Sequence, residues 1–160
     1  VKGLNEVAAN VRSTILLNLL SYMTDKLLIE GNTVAALDEL YIWLGNPVAV
    51  EYIRNALKRV RKKNSAMLMA SQNVEDFDRP GVREMTKPLF SIPPHQFLFN
   101  CGTVNKKEFM DLLQLEESEF KIIQAPHKGE CLYKCGNERY DLLVTAPAYK
   151  EKLFGKAGGK

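Results

Sequence analysis

The run Val34-Ala35-Ala36-Leu37 is apolar and ends in two adjacent carboxylates, Asp38 and Glu39. At the carboxyl end of a strand such a pair can divide a phosphoryl-transfer task. One carboxylate holds a magnesium ion and its neighbour polarises the attacking water. A second polar group, Gln72, follows the next apolar run, Ala66 to Ser71. An amide there can hydrogen-bond a γ-phosphate or the water. The third set is basic: Arg54, Lys58, Arg59, Arg61, Lys62 and Lys63, with no acid among them. An arginine of this set could reach a neighbouring subunit's γ-phosphate, or the whole set could lie along a nucleic-acid or lipid phosphate surface. No aromatic residue interleaves the six charges, so stacking on bases is not indicated. Each group also has a plain structural account. Asp-Glu suits an exposed loop, a glutamine suits a turn, and cations suit a helix C-terminus.

The carboxylate pair has the form of a Walker B motif. Its usual partner, the phosphate-cradling G-x-x-x-x-G-K-[ST] loop, occurs nowhere in the 160 residues. The glycine- and lysine-rich end from Gly155 to Lys160 imitates such a loop with the wrong spacing, no Ser or Thr after the lysine and no strand before it. His127, Cys131 and Cys135, with Cys101, are the only zinc candidates, and they lack the tight Cys-x-x-Cys knuckles of structural sites. Cysteine within strand-like runs is commonly a small buried hydrophobe. No Ser-His-Asp or Cys-His arrangement stands out.

Composition bounds the chain to an ordinary globular class, with 46% hydrophobic and 26% charged residues. A formal charge of +3 does not by itself call for a nucleic acid. Three irregularly spaced cysteines argue against a disulfide scaffold and for a reducing compartment. The richest apolar stretch, Thr14 to Met23, is interrupted by Asn18 and Ser21 and is too short to span a bilayer. With no signal-peptide pattern either, a cytoplasmic location is expected.

The elements that must hold these residues follow from periodicity and punctuation. Leu4, Ala8, Val11, Ile15, Leu19, Met23 and Leu27 recur at helical steps, predicting one helix over 4–30 that ends at Gly31-Asn32 and is covered on more than one side. Thr33 to Leu37 reads as a strand buried on both faces. Asn46-Pro47 starts a helix that runs to Lys63. Ala66 to Ser71 is the next strand. A turn at Pro80-Gly81, a short helix near 82–87 and a Pro-rich break at Pro88, Pro93 and Pro94 follow. Gln96 to Cys101 is a third strand, 105–113 and 116–124 are two helices, and 130–135 with 139–145 form a hairpin around Gly136-Asn137. The fold class is α/β, a mostly parallel sheet with helices on its faces and a C-terminal β-hairpin at its edge. Residues 1–153 form the domain and 154–160 a disordered tail.

Taken in order, Val34-Ala-Ala-Leu-Asp-Glu-Leu-Tyr-Ile-Trp-Leu44, Leu57-Lys-Arg-Val-Arg-Lys-Lys-Asn64 and Leu68-Met-Ala-Ser-Gln-Asn-Val-Glu-Asp-Phe77 form a specific series. Phe97 to Asn100, the helix pair and Gly129-Glu-Cys-Leu with Gly136-Asn-Glu-Arg139 extend it. The chain thereby resembles, almost throughout, the C-terminal part of the ATPase domain of conjugation and type IV secretion ATPases of the VirB-four and TraE type. The versions carried by conjugative elements of Gram-positive bacteria are the nearest in kind. The resemblance implies a partial RecA-like fold in which Asp38 assists Mg2+ through water, Glu39 activates water, Gln72 senses the γ-phosphate of ATP and Arg61 acts on a neighbouring subunit's site. It further implies a motor, commonly a hexamer, that works with other type IV secretion components at the inner face of the membrane and drives pilus assembly and DNA or protein transfer. The family's phosphate loop lies upstream of the matching region, and Val1-Lys2-Gly3-Leu4 reads as the end of a strand entering a helix. This chain alone is therefore expected to bind ATP weakly, with neither ATP nor Mg2+ tightly held, and to carry an open sheet edge prone to self-association. The alternative reading is a non-catalytic α/β module whose basic helix docks a partner protein or a nucleic acid.

Overall fold

The computed structural model describes residues 7–72, 77 and 83–155. Expectations for the helix start at Leu4, for Asn73 to Asp76 of the third motif, for the Pro80-Gly81 turn and for residues 156–160 of the tail lie outside that set. The chain divides into two compact units, Val1–Pro93 and Pro94–Lys160.

In the first unit, α1 (Ala9–Thr24) runs straight into a π-helical segment, Asp25–Glu30, and stops at Gly31. Gly31 has a φ of +77°, and a Cβ there would sit 2.6 Å from the Lys63 carbonyl oxygen. Only glycine fits that approach. Leu16, Leu20, Leu27 and Leu28 are buried, whereas Leu17 and Val11 are exposed, so the helix is covered along one side and not around it. Thr24 and Tyr52 hydroxyls, hydrogen-bonded at 3.1 Å, tie the end of α1 to the third helix. That end matters for the site because β1 (Val34–Leu37) leaves from it.

A short α2 (Tyr41–Leu44) and α3 (Pro47–Arg59) follow, and a 3-10 turn, Val60–Lys63, leads into β2 (Ala66–Met69). Asn46 caps α3 as its sequence demands: Oδ1 accepts from the backbone N–H of Val48 at 3.0 Å and of Ala49 at 3.3 Å, with Pro47 in the first turn. Asn46→Ala is expected to cost about 1 kcal/mol, read as a lower denaturation midpoint at unchanged slope.

β1 and β2 are parallel, Val34 opposite Ala66 and Leu37 opposite Met69. One face of the pair is closed, with Leu37 buried and Ala35, Met67 and Met69 packed on the core. The other face, Val34, Ala36, Ala66 and Leu68, is bare, with Val34 71% and Leu68 62% exposed. This corrects the expectation of a strand buried on both faces. The sequence is apolar enough for two covers, but among the described residues only one is supplied. The first unit closes with α4 (Arg83–Ser91), which continues through Pro88 instead of breaking there. The ring removes one helical hydrogen bond, and burial of Leu89 and the edge-on packing of Phe90 against Phe77 hold the helix together.

The second unit is an antiparallel sheet of β3 (His95–Leu98), β4 (Glu130–Cys135) and β5 (Glu138–Leu143), in the order β3-β4-β5. The hairpin therefore extends β3 and not the edge of the parallel pair. Helices α5 (Lys106–Leu113) and α6 (Glu117–Gln124) carry the expected caps, Asn105 and a Glu116–Glu119 capping box. Buried Lys134 donates to the Leu113 carbonyl at the end of α5, 2.6 Å away. A last helix, α7 (Ala148–Phe154), occupies a stretch in which the sequence pattern marks no element, and it includes Phe154 of the expected tail.

Candidate functional site

The parallel pair brings two of the three candidate groups together. Ala70 N–H donates to the Leu37 carbonyl and Leu40 N–H donates to the Ala70 carbonyl, both at 2.9 Å. The loop after β1 is thus stitched to the loop after β2, and Asp38 and Glu39 lie alongside Ser71 and Gln72 at the carboxyl ends of the strands. Open α/β sheets place their ligands at that end.

The loop is held from below by burial. Leu37, Leu40, Trp43 and Leu44 all enter the main core with Leu16, Leu20 and Ile53. The motif Leu-Asp-Glu-Leu-Tyr-Ile-Trp-Leu is thus an alternation of anchors and free polar residues. Asp38 is exposed and Glu39 half-buried. Asp38 Oδ1 accepts from the backbone N–H of Glu39 at 2.9 Å, which fixes the aspartate and leaves Oδ2 directed to other partners. The Tyr41 hydroxyl donates to Glu39 Oε2 at 3.3 Å. Tyr41 is a site residue that sequence reasoning misses, because nothing marks an aromatic hydroxyl two residues past a carboxylate as its orienting donor.

Glu39 has a φ of +52°, a left-handed backbone that side chains other than glycine seldom adopt. Such strain costs on the order of 1–3 kcal/mol and gathers at functional sites. Glu39→Gly should accordingly raise stability by about 1 kcal/mol, measured by chemical denaturation, while removing the carboxylate. A loss of stability instead would mean that the Glu39–Tyr41 contact outweighs the strain.

Arg61 is placed elsewhere. It lies exposed in the 3-10 turn before β2, where Asn32 N–H donates to the Lys63 carbonyl at 2.9 Å. That is the amino end of the strands, four paired residues away from Asp38 and Gln72. Within one molecule it does not meet the carboxylates. An exposed arginine at the far end of the sheet keeps the geometry that action on a neighbouring subunit requires.

An Asp-Glu pair with one oxygen bound to backbone and the rest turned outward suits a hydrated divalent cation and a water, both of which need oxygen acceptors. The zinc candidates show no such arrangement. Cys131 is buried as a small hydrophobe, and no three His, Cys, Asp or Glu side chains come together as a metal-holding group among the described residues.

No protein-family model matches the chain. It is 32% identical over 124 residues to the second of the pieces that make up a probable conjugal transfer protein TrbE of Sinorhizobium fredii, covering 74% of this chain and 18% of that protein. With the conjugal transfer protein TrbE of Rhizobium radiobacter it shares 29% identity, over 97% of this chain and 19% of the relative. The chain thus spans about a fifth of the length of these two relatives. The solved structure of VirB4 of Thermoanaerobacter pseudethanolicus superposes with a TM-score of 0.80 at 26% identity, over 93% of this chain and 41% of that one.

Proposed function

Because the chain belongs to the TrbE/VirB4 family of conjugation and type IV secretion proteins and matches the C-terminal part of the ATPase domain, we propose that it contributes the water-activating half of a nucleotide site in a motor of that family. The observation that carries this reading is the stitched pair of loops, which sets Asp38 and Glu39 beside Ser71 and Gln72 at one end of a parallel sheet.

In this reading Mg2+ bound with ATP neutralises charge on the transferred phosphoryl group. Asp38 holds the water shell of that cation. Glu39, aimed by its left-handed backbone and by Tyr41, accepts the proton of the attacking water as the bond between the γ-phosphorus and the ADP oxygen breaks. Gln72 hydrogen-bonds the γ-phosphate. The backbone amides and lysine that would grip the phosphates are not in this sequence, so the chain by itself holds nucleotide weakly. The bare face of Val34, Ala36, Ala66 and Leu68 fits a role as part of a larger sheet, since parallel sheets are covered on both faces.

Arg61, remote from its own carboxylates, would act on the adjoining subunit of a ring, with a hexamer as the expected assembly. Other secretion components and peripheral contact with the inner membrane complete the proposal. No helix among the described residues is long and apolar enough to cross a membrane. The test is ATP turnover by the polypeptide that joins this sequence to a phosphate loop, and its response to changing Glu39.

A further inference from the structure

Lys58 and Arg59 end α3, and Arg61, Lys62 and Lys63 fill the turn that follows. All five are exposed, and none is in an ion pair among the described residues. Arg54, the sixth cation of the run, is half-buried farther back in α3. The segment packed against the turn, Asp25–Glu30, brings two acids, and Lys26 takes Glu30 at 2.7 Å. Asp25 alone then stands against five cations. The patch occupies the amino end of the parallel pair, opposite Asp38 and Glu39.

Two ordinary accounts leave the patch unexplained. The helix dipole favours cations within the last turn of α3, but Arg61, Lys62 and Lys63 lie past that turn. Solvation alone accounts for scattered lysines, not for five like charges within six residues, whose mutual repulsion is unfavourable. From Lys58 to Lys63 the backbone rises about 9 Å at helical and 3-10 spacing. A nucleic-acid duplex carries one charge per ~1.7 Å, hence about five over that length. The two charge densities match. An anionic membrane fits less well, because 58–63 offers no exposed apolar side chain to enter the acyl boundary: Val60 is buried.

We infer that this end of the first unit, through Lys58, Arg59, Lys62 and Lys63, binds the phosphate backbone of a nucleic-acid duplex without reading its sequence. The inference is independent of the nucleotide site, and Arg61 is left out of its variants so that the two readings fail separately.

The test is fluorescence anisotropy of a labelled 20-base-pair duplex with the 160-residue chain between 25 and 200 mM salt. The logarithm of the binding constant should fall linearly with that of salt, with a slope of about −3 to −4, equally for two unrelated sequences. Lys58→Ala/Lys62→Ala/Lys63→Ala should flatten the slope by about 2.7, and the corresponding triple arginine variant should restore it. If the triple alanine variant loses its fold by circular dichroism, Lys62→Ala and Lys63→Ala singly decide, each removing about 0.9 from the slope. Absence of duplex binding at 25 mM salt, an unchanged slope in the variants, or binding to vesicles of anionic phospholipid without binding to duplex would each overturn the inference.

Discussion

Glu39→Gln lowers ATP turnover by about 10²–10⁴-fold in the polypeptide that carries this sequence together with a phosphate loop, and leaves nucleotide affinity within a few-fold. Glutamine keeps the volume of the side chain and an oxygen for the Tyr41 hydroxyl, so the turn survives. What it loses is the ability to accept a proton from water. The effect therefore falls on kcat and not on binding, a separation that steady-state phosphate release and calorimetric titration with nucleotide read independently. Turnover within tenfold of the parent would remove Glu39 from the role of base. Asp38→Asn is the informative companion, because a group that supports the cation affects affinity as well as rate.

Ile53→Ala destabilises the chain by about 2–5 kcal/mol. Ile53 is fully enclosed, 0% exposed, and sits in the cluster that joins Leu16 and Leu20 of α1, Trp43 and Leu44 of α2, and Leu89 of α4. A cavity bordered by three helices cannot collapse by shifting one of them, which puts the loss toward the upper part of that range. Equilibrium unfolding in urea should show a lower midpoint with an unchanged slope. Leu68→Ala provides the contrast. The side chain is as large, but 62% of it already faces solvent, so its removal should cost well under 1 kcal/mol. Equal effects of the two substitutions would mean that the bare sheet face is covered in solution.

Local chemistry made several elements legible. Asn46-Pro47, Gly31, Asn105 and Gly136 each mark a place where backbone groups need a cap or a left-handed turn, and each lies where its residue type predicted. Nonlocal features were less legible. Residues 95–98 have no property that tells a parallel neighbour from an antiparallel one, so the assignment of β3 to the hairpin sheet depends on partners more than 30 residues away. The π-helical segment adds a residue to a turn without disturbing the apolar spacing enough to announce itself. Pro88 reads as a break until the burial of Leu89 is known. At the site, Asp38, Glu39 and Gln72 could be picked out because strand ends collect chemistry. The backbone strain at Glu39 could not, since nothing in its residue type requests a positive φ.

The parallel pairing of β1 with β2 sets an order in time. Val34 can meet Ala66 only after α3 and its turn have formed between them, so the strand pair is a late, nonlocal event while the capped helix is an early, local one. Until it closes, two short apolar strands wait unpaired on a newly made chain. Their vulnerability to misassociation is thus governed by how soon Asn46 starts its helix, and weakening that cap should lengthen the interval as well as lower the final stability.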